Sequence, residues 1–219
     1  MDRVAVYTAI FGTHDALKSQ PDLEGVDLVC FTDDPSLRSD RWRVEVRPPR
    51  YGHPRMSAKW FKLNPHVELE AYRYTVWIDA SLQLTTETFA KEVLSFLDGK
   101  GLALFRHPDR DNIVDEAAVS ATMLKYQGER VHEQVEHYRR KGFRSQNGLF
   151  AGGVLVRDNA SRAIRRLNRT WMREILRWSS QDQLSLPYVL WKLDIAPGII
   201  PYNLWDNPLF TWHAHATEL

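Results

Sequence analysis

The chain has 219 residues, and its 29 lysines and arginines nearly balance its 28 acidic residues. Hydrophobic residues make up 43% of the chain, which is ordinary for a globular protein with a sizeable core, and the small net charge argues against non-specific nucleic-acid binding. A single cysteine, Cys30, excludes a disulfide within the chain and a cysteine-based metal site.

Short apolar runs alternate with helical patterns along the whole chain. The runs that predict buried strands are residues 4–10, 26–32, 42–46, 74–78, 102–105, 148–156 and 195–200. The patterns that predict helices begin after Pro54 and then cover residues 89–97, 113–141 with a break at Gly128, 160–178 and 181–192. This alternation favours an α/β fold whose mostly parallel sheet is covered by helices on both faces.

We expect one domain over residues 1–219, because no linker, repeat or low-complexity tract interrupts the pattern. No run approaches the roughly 20 apolar residues that cross a bilayer, and the N-terminus has no signal-peptide pattern. The sequence therefore predicts a cytoplasmic protein without an integral membrane segment.

Ligands of such sheets bind beyond the carboxyl ends of the strands, where this sequence places several carboxylates. Asp79 ends a buried run, and a divalent metal bridging it to a diphosphate would give this carboxylate a partner. Asp33 ends the second strand and could accept hydrogen bonds from a base or ribose. Both residues could equally cap turns through their side chains.

Two basic residues and a pair of glycines are further candidates for a ligand site at the same predicted edge of the sheet. Arg55 and Lys59 are one helical turn apart, so they would project from one helix face and could hold a diphosphate or simply face solvent. The pair Gly152 and Gly153 indicates either the close approach of a ligand or a β-bulge.

Seven short motifs, in this order, resemble those of one family. They are residues 7–12 (YTAIFG), 31–34 (FTDD), Lys59 with Pro65 and His66, 77–81 (WIDAS), 105–108 (FRHP) with Glu116, 148–153 (GLFAGG) and 182–185 (DQLS). The family is the glycosyltransferase-like group catalogued as domain of unknown function 616, which includes plant mucilage-related proteins. The layout is more remotely similar to glycosyltransferase family 8, whose members have a GT-A fold.

The resemblance implies a sugar transfer from a nucleoside diphosphate-sugar, such as a UDP-sugar, to a hydroxyl of a glycan or small-molecule acceptor. It implies nucleotide contacts by Tyr7, Thr8, Ala9 and Asp33, phosphate contacts by Lys59, and a place beside the donor sugar for Gly152 and Gly153. Asp182 and Gln183 would lie next to the reaction centre, and comparison with family 8 implies retention of anomeric configuration.

A Mn²⁺ or Mg²⁺ site is also implied, with Asp79 matching the first Asp of an Asp-any-Asp motif and His213 matching a C-terminal histidine. Ser81 departs from that motif, because a serine hydroxyl is a much poorer ligand for these ions than a carboxylate. Cations such as Arg55, Lys59 or Arg106, with His107 beside the last of these, could replace the metal.

The sequence is also compatible with two other classes of function. A sugar-nucleotide or glycan-binding module that lost turnover would account for Ser81. A nucleotidyltransferase on a related scaffold ranks third, because that class usually has a glycine-rich phosphate loop and this N-terminus has the single Gly12.

Overall fold

The computed structural model describes residues 2–12, 15–144 and 148–214. Its strands are β1 (Val4–Ile10), β2 (Val26–Thr32), β3 (Arg43–Val46), β4 (Tyr74–Ile78), β5 (Leu82–Leu84), β6 (Leu102–Arg106), β7 (Phe150–Asp158), β8 (Gly198–Ile200) and β9 (Phe210–Trp212). Its helices are α1 (Pro54–Leu63), α2 (Pro65–Glu68), α3 (Phe89–Ser95), α4 (Ile113–Ser120), α5 (Val131–Arg140), α6 (Arg162–Arg177) and α7 (Asp182–Leu193). A 3-10 turn covers Leu124–Tyr126.

Seven strands form a central sheet in the order β3-β2-β1-β4-β7-β6-β8, and β5 pairs with β9 in a separate small sheet. Within the described central sheet, β7 alone runs antiparallel to its neighbours β4 and β6. Because β7 is reversed, its beginning lies at the carboxyl edge of the parallel strands. Its register pairs Ile78 with Val154, so Gly152 and Gly153 lie just beyond the end of β4.

The sheet is buried on both faces, which explains the continuous apolar runs of β1 and β4. On one face, Phe61 of α1, Trp171 of α6 and Leu184 of α7 belong to a cluster that includes Tyr7 and Trp77. On the opposite face, the small β5–β9 sheet and α3 cover a second cluster. The two apolar layers make the sheet a rigid platform for whatever projects from its edge.

The prediction of an α/β fold with a mostly parallel sheet is confirmed. Most predicted elements agree with the observed bounds to within two or three residues, and the pattern of residues 113–141 resolves into α4, the 3-10 turn and α5. The sequence reasoning missed β5, α2 and β9, because elements of three or four residues carry too little periodicity to be recognised. In the described residues, no helix is both long enough and apolar enough to cross a membrane.

Candidate active site

A cavity of about 310 Å³ opens at the carboxyl edge of the sheet, beyond β1 and β4. The end of β1, one face of α1, the segment after β4, the start of β7 and the start of α7 all contribute to its wall. Elements far apart in the sequence therefore meet here, as expected for a ligand site in a sheet of this kind.

Helix α1 presents three cations to the cavity: Arg55, Lys59 and Lys62. They occur at helical spacing, four and then three residues apart, so they lie on one side of the helix. His53 caps the helix by accepting a hydrogen bond from the Arg55 amide at 3.2 Å, and Pro54 occupies its first turn. The cap fixes where the helix begins, and hence which residues face the cavity.

Asp182, the first residue of α7, binds two of these cations with a single carboxylate oxygen. Its Oδ2 lies 2.8 Å from Lys62 Nζ and 3.1 Å from Lys59 Nζ. All three side chains are largely buried, with 7% of Asp182, 12% of Lys59 and 6% of Lys62 exposed. One carboxylate oxygen thus pairs with two buried ammonium groups.

The electrostatics distinguish the two lysines. Burial lowers the pKa of Lys59 below its ordinary value, and Lys62 adds to that effect while Asp182 opposes it. Burial acts in the same direction on Lys62, but Asp182 and Asp79 together raise its pKa above the ordinary value. Burial alone would raise the pKa of Asp182, yet the two lysines hold it well below its usual range. Lys59 is therefore the lysine that loses its proton first as the pH rises.

Asp79 also lines the cavity, and 41% of its side chain is exposed. Its Oδ1 accepts a hydrogen bond of 2.7 Å from Trp77 Nε1 and lies 3.6 Å from Lys62 Nζ. The Asp79 amide donates to the Gly153 carbonyl at 2.9 Å, which ties the end of β4 to the glycine pair. The carboxylate is thereby oriented without being buried.

The glycine pair makes room for this arrangement. A Cβ atom at Gly152 would lie 3.0 Å from Lys62 Nζ and 3.4 Å from Asp182 Oδ2. At Gly153 it would lie 3.6 Å from Asp79 Oδ2, an ordinary contact. A side chain at Gly152 would therefore crowd the ion pair, whereas a small side chain would fit at Gly153.

Two carboxylates, one from buried Glu116 and one from half-buried Glu129, hold the chain in place just before α7. Glu116 accepts hydrogen bonds from Gln181 Nε2 at 2.7 Å and Arg110 Nε at 2.6 Å. Glu129 accepts from the amide and hydroxyl of Ser180, both at 2.6 Å. These bonds fix the position of the helix start that carries Asp182.

The structure brings together eight of the predicted site residues. Those that line the cavity are Ala9, Arg55, Lys59, Asp79, Gly152, Gly153, Asp182 and Gln183. The roles predicted for these residues stay predictions.

The other predicted residues lie outside the cavity wall. Tyr7 is fully buried and donates a hydrogen bond of 2.8 Å to the Lys62 carbonyl, and Thr8 is also buried. Asp33 accepts a hydrogen bond of 2.9 Å from the Gly12 amide. Tyr7 and Asp33 therefore support wall residues, since their polar atoms are engaged within the protein.

Arg106 and His107 follow β6 and are also absent from the wall. Arg106 is exposed, and its guanidinium would lie 3.5 Å from a Cβ at Gly148. His107 Nδ1 accepts from the amides of Asp109 and Arg110 at 3.2 and 3.1 Å, which closes a turn. Burial lowers the pKa of His107 below its ordinary value.

The three predicted metal ligands do not form a site that fits a metal held by the protein alone. Ser81 is buried and does not line the cavity, and His213 Nε2 is 3.0 Å from Gln83 Oε1. Across residues 2–12, 15–144 and 148–214, no group of three histidine, cysteine or acidic side chains could hold a metal ion. The carboxylate of Asp79 would need a donor diphosphate to complete any coordination shell, and metal dependence stays a prediction.

Sequence reasoning missed several residues of the wall. Lys62 continues the spacing of Arg55 and Lys59 along one helix face, so helical periodicity could have identified it. Tyr126 and Lys125 belong to the 3-10 turn after α4, and no sequence signal connects that turn with the strand ends.

Comparison with known proteins identifies the family of this chain. A family model described as "TOD1/MUCI70, glycosyltransferase-like domain" matches residues 1–210. An Arabidopsis thaliana protein, "Probable hexosyltransferase MUCI70", is 26% identical in a match that covers 85% of this chain and 37% of that protein. The chain thus spans little more than a third of this relative's length. The resemblance stated from the sequence motifs is confirmed, and the chain belongs to the TOD1/MUCI70 family of glycosyltransferase-like domains.

Proposed function

We propose that this chain transfers a sugar from a nucleoside diphosphate-sugar, a UDP-sugar in the first instance, to an acceptor hydroxyl. The observation that carries the proposal is the convergence of Arg55, Lys59 and Lys62 with a glycine pair and Asp182 in one cavity. Transfer requires departure of the diphosphate, and negative charge develops on its bridging oxygen as it leaves. Positioned cations in a partly buried cavity stabilise such charge strongly.

In this proposal, the residues of the cavity bind the diphosphate, make room for the donor sugar and orient the reacting groups. Lys59, Lys62 and Arg55 bind the diphosphate, and Lys59 is held by Asp182 so that its ammonium faces the cavity rather than bulk solvent. Gly152 and Gly153 let the donor sugar approach the sheet edge. Asp182 and Gln183 lie on the side of the reacting carbon, where Gln183 orients the sugar or the acceptor hydroxyl.

A divalent ion, if one binds, would enter with the donor and contact Asp79, and its chemistry would be additional charge stabilisation on the diphosphate. Retention of anomeric configuration is the stereochemical outcome that we propose from the likeness to family 8. The GT-A fold and a cytoplasmic location belong to the same proposal.

The test is a screen of purified protein against UDP- and GDP-sugars, with Mn²⁺, Mg²⁺ or EDTA, for donor binding, hydrolysis and transfer. Binding is followed by thermal shift, since a ligand at a hundredfold excess over its dissociation constant stabilises the folded state by about 2.7 kcal/mol. Turnover that is lost in Asp182→Asn and kept in a variant of an exposed arginine supports the proposal. Absence of binding and turnover for every donor under every metal condition rejects it.

A donor-binding module without turnover is the alternative. Its supporting observation is that the described residues provide Asp79 but no second carboxylate at the position of Ser81. Donor binding with neither hydrolysis nor transfer, to any of a panel of mono- and oligosaccharide acceptors, would favour this alternative.

A further inference from the structure

Helix α6 presents an unusual surface whose residues do not line the cavity at the strand ends. Six of its 16 residues are arginines, and all six are exposed. They are Arg162, Arg165, Arg166, Arg169, Arg173 and Arg177, which we call the arginine face. The sole acidic residue of the helix, Glu174, is buried and accepts a hydrogen bond from Tyr138 at 3.1 Å. The exposed side of α6 therefore carries positive charge without compensation from its own helix.

Neighbouring elements do not neutralise it either. Among the described residues, no carboxylate lies within 4.0 Å of any arginine on this face, whereas several exposed arginines elsewhere are ion-paired. Examples are Arg41 with Asp22 at 3.4 Å, Arg43 with Glu45 at 3.1 Å and Arg130 with Glu133 at 2.7 Å. Because the chain as a whole has a net charge of only +1, this concentration is local.

The arginines form a band along the helix. Apart from the adjacent pair Arg165 and Arg166, their spacing of three or four residues keeps them on one side of the helix, and the band from Arg162 to Arg177 is about 22 Å long at 1.5 Å per residue. Beside it, between α6 and the end of α7, lies a cleft of about 380 Å³. Three arginines, Arg166, Arg173 and Arg177, line this cleft with Thr170, and Lys192 lines it while paired with the Glu174 carboxylate at 3.7 Å. The three arginines leave the cleft basic despite this carboxylate, and a basic cleft suits a phosphate group carried on a larger surface.

Apolar side chains accompany the cations on α6. Leu176, the neighbour of Arg177 in the helix, is 50% exposed. Arg177 also lies over the ring of half-buried Trp178, with its guanidinium carbon 5.0 Å from the ring centroid. Arginine together with leucine and tryptophan is the composition of surfaces that lie at the boundary between lipid headgroups and acyl chains.

We infer that the arginine face binds the surface of a membrane that contains anionic phospholipids. Clusters of four to eight basic residues on a helix have this chemistry, and each contributes through attraction to the negatively charged headgroups. A planar surface can contact an outward-facing band along its whole length. Single-stranded nucleic acids instead bind in grooves lined by stacked aromatic rings, and this face has no such groove within the described residues.

The test uses the purified protein without donor, so its result does not depend on the proposed sugar transfer. Co-sedimentation is measured with vesicles of phosphatidylcholine alone and with vesicles in which a third of the lipid is phosphatidylglycerol. We expect binding only to the second kind, and a loss of binding as salt rises because the attraction is screened. Sedimentation with both kinds equally, or with neither at low salt, overturns the inference.

Two triple variants with the same change of net charge make the measurement specific. Arg166→Gln/Arg169→Gln/Arg173→Gln removes half of the band, and we expect the vesicle partition coefficient to fall by about two orders of magnitude, roughly fivefold for each arginine. Arg41→Gln/Arg43→Gln/Arg130→Gln removes three exposed, ion-paired arginines elsewhere and should leave partitioning within about twofold of the wild type.

Equal losses in the two triple variants would contradict the inference, because they would show an effect of net charge alone. Retained binding in the α6 variant would contradict it as well. Binding of the wild type to a soluble polyanion such as heparin, but not to anionic vesicles, would assign the face to a polymer and overturn the membrane assignment. Circular dichroism checks that both variants fold.

Discussion

Lys62 donates a hydrogen bond of 2.8 Å to Asp182, although 120 positions separate the two residues in the chain. Neither side chain would be stable alone at this depth, because an unpaired buried charge is costly. Lys59 shares the same carboxylate oxygen at 3.1 Å. The start of α7 and the cavity side of α1 are therefore joined by charge, and stability and ligand binding depend on the same three groups.

Replacing Asp182 with asparagine should destabilise the protein strongly. It removes the ion-pair partner of buried Lys59 and leaves buried Lys62 with only the partly exposed Asp79 at 3.6 Å. Breaking a buried pair costs about 3–5 kcal/mol. Urea denaturation measures the change, and donor turnover should be lost as well. Asp79→Asn is the matched control, because that carboxylate is partly exposed and should contribute less than about 1 kcal/mol. Similar destabilisation by both variants would show that Asp182 is not the counter-charge.

The pH dependence of Asp182 has a defined sign. Folding lowers the pKa of Asp182 below the value of 3.8 that it has in the unfolded chain. The ionised carboxylate therefore stabilises the fold fully at pH values above 3.8, and this stabilisation is lost as the pH falls through the folded-state pKa. The stability difference between wild type and Asp182→Asn should therefore shrink on acidification below pH 3.8. A difference that stays constant down to the acid transition would argue against the assigned direction.

Lys59 should set an alkaline limit on donor binding. Its pKa is lowered below the ordinary lysine value of 10.5, so its ammonium is lost at a lower pH than that of a solvent-exposed lysine. Donor affinity measured from about pH 7 to about pH 10 should fall as this proton is lost. In Lys59→Arg the limit should move to higher pH, since arginine keeps its charge. An unchanged profile in that variant would assign the limit to another group.

The two adjacent glycines should respond differently to alanine. In Gly152→Ala the new Cβ lies 3.0 Å from Lys62 Nζ, so the ammonium must shift away from its partner. We expect kcat/KM for transfer to fall by at least about tenfold, which corresponds to about 1.4 kcal/mol. Gly153→Ala is the control, because its Cβ makes contacts of 3.6 Å or longer. An equal loss in both variants would contradict the steric explanation.

Tyr7→Phe should lower the stability of the fold and leave donor affinity nearly unchanged. The hydroxyl donates to the Lys62 carbonyl at 2.8 Å and accepts from Arg157 at 2.9 Å, and burial raises the pKa of Tyr7 to about 12. Its removal should cost about 1–3 kcal/mol, because a buried guanidinium loses an acceptor. Donor affinity, measured by calorimetry, should change little, since the ring does not line the cavity. A large loss of affinity with little loss of stability would restore Tyr7 as a nucleotide contact.

The sequence was sufficient for the sheet and the helices because their signals are local. Continuous apolar runs identify β1 and β4, and the 3.6-residue period identifies α6. Because these signals are local, the sequence identified only some of the residues that line the cavity. Residues that directly follow strand ends, such as Asp79, reach the cavity, whereas Tyr7 points from its strand into the core.

Other parts of the site depend on tertiary packing, which periodicity does not specify. The reversed direction of β7 decides that Gly152 lies near Asp182, and an apolar strand pattern is the same for either direction. Lys125 and Tyr126 reach the wall through a short turn that has no recognisable motif. The turn that follows β6 keeps His107 occupied with backbone amides, which residue type alone did not reveal.

Lys62 is anchored at both ends, by Tyr7 and Arg157 at its carbonyl and by Asp182 at its ammonium. Attempts to engineer a new donor preference should therefore leave this residue unchanged, because substitution there would disturb the core and the cavity together. Ala9 and Ala58 also line the cavity, but they are small and take no part in the ion pairs. They are the positions at which a directed-evolution library could reshape the wall while the scaffold stays intact.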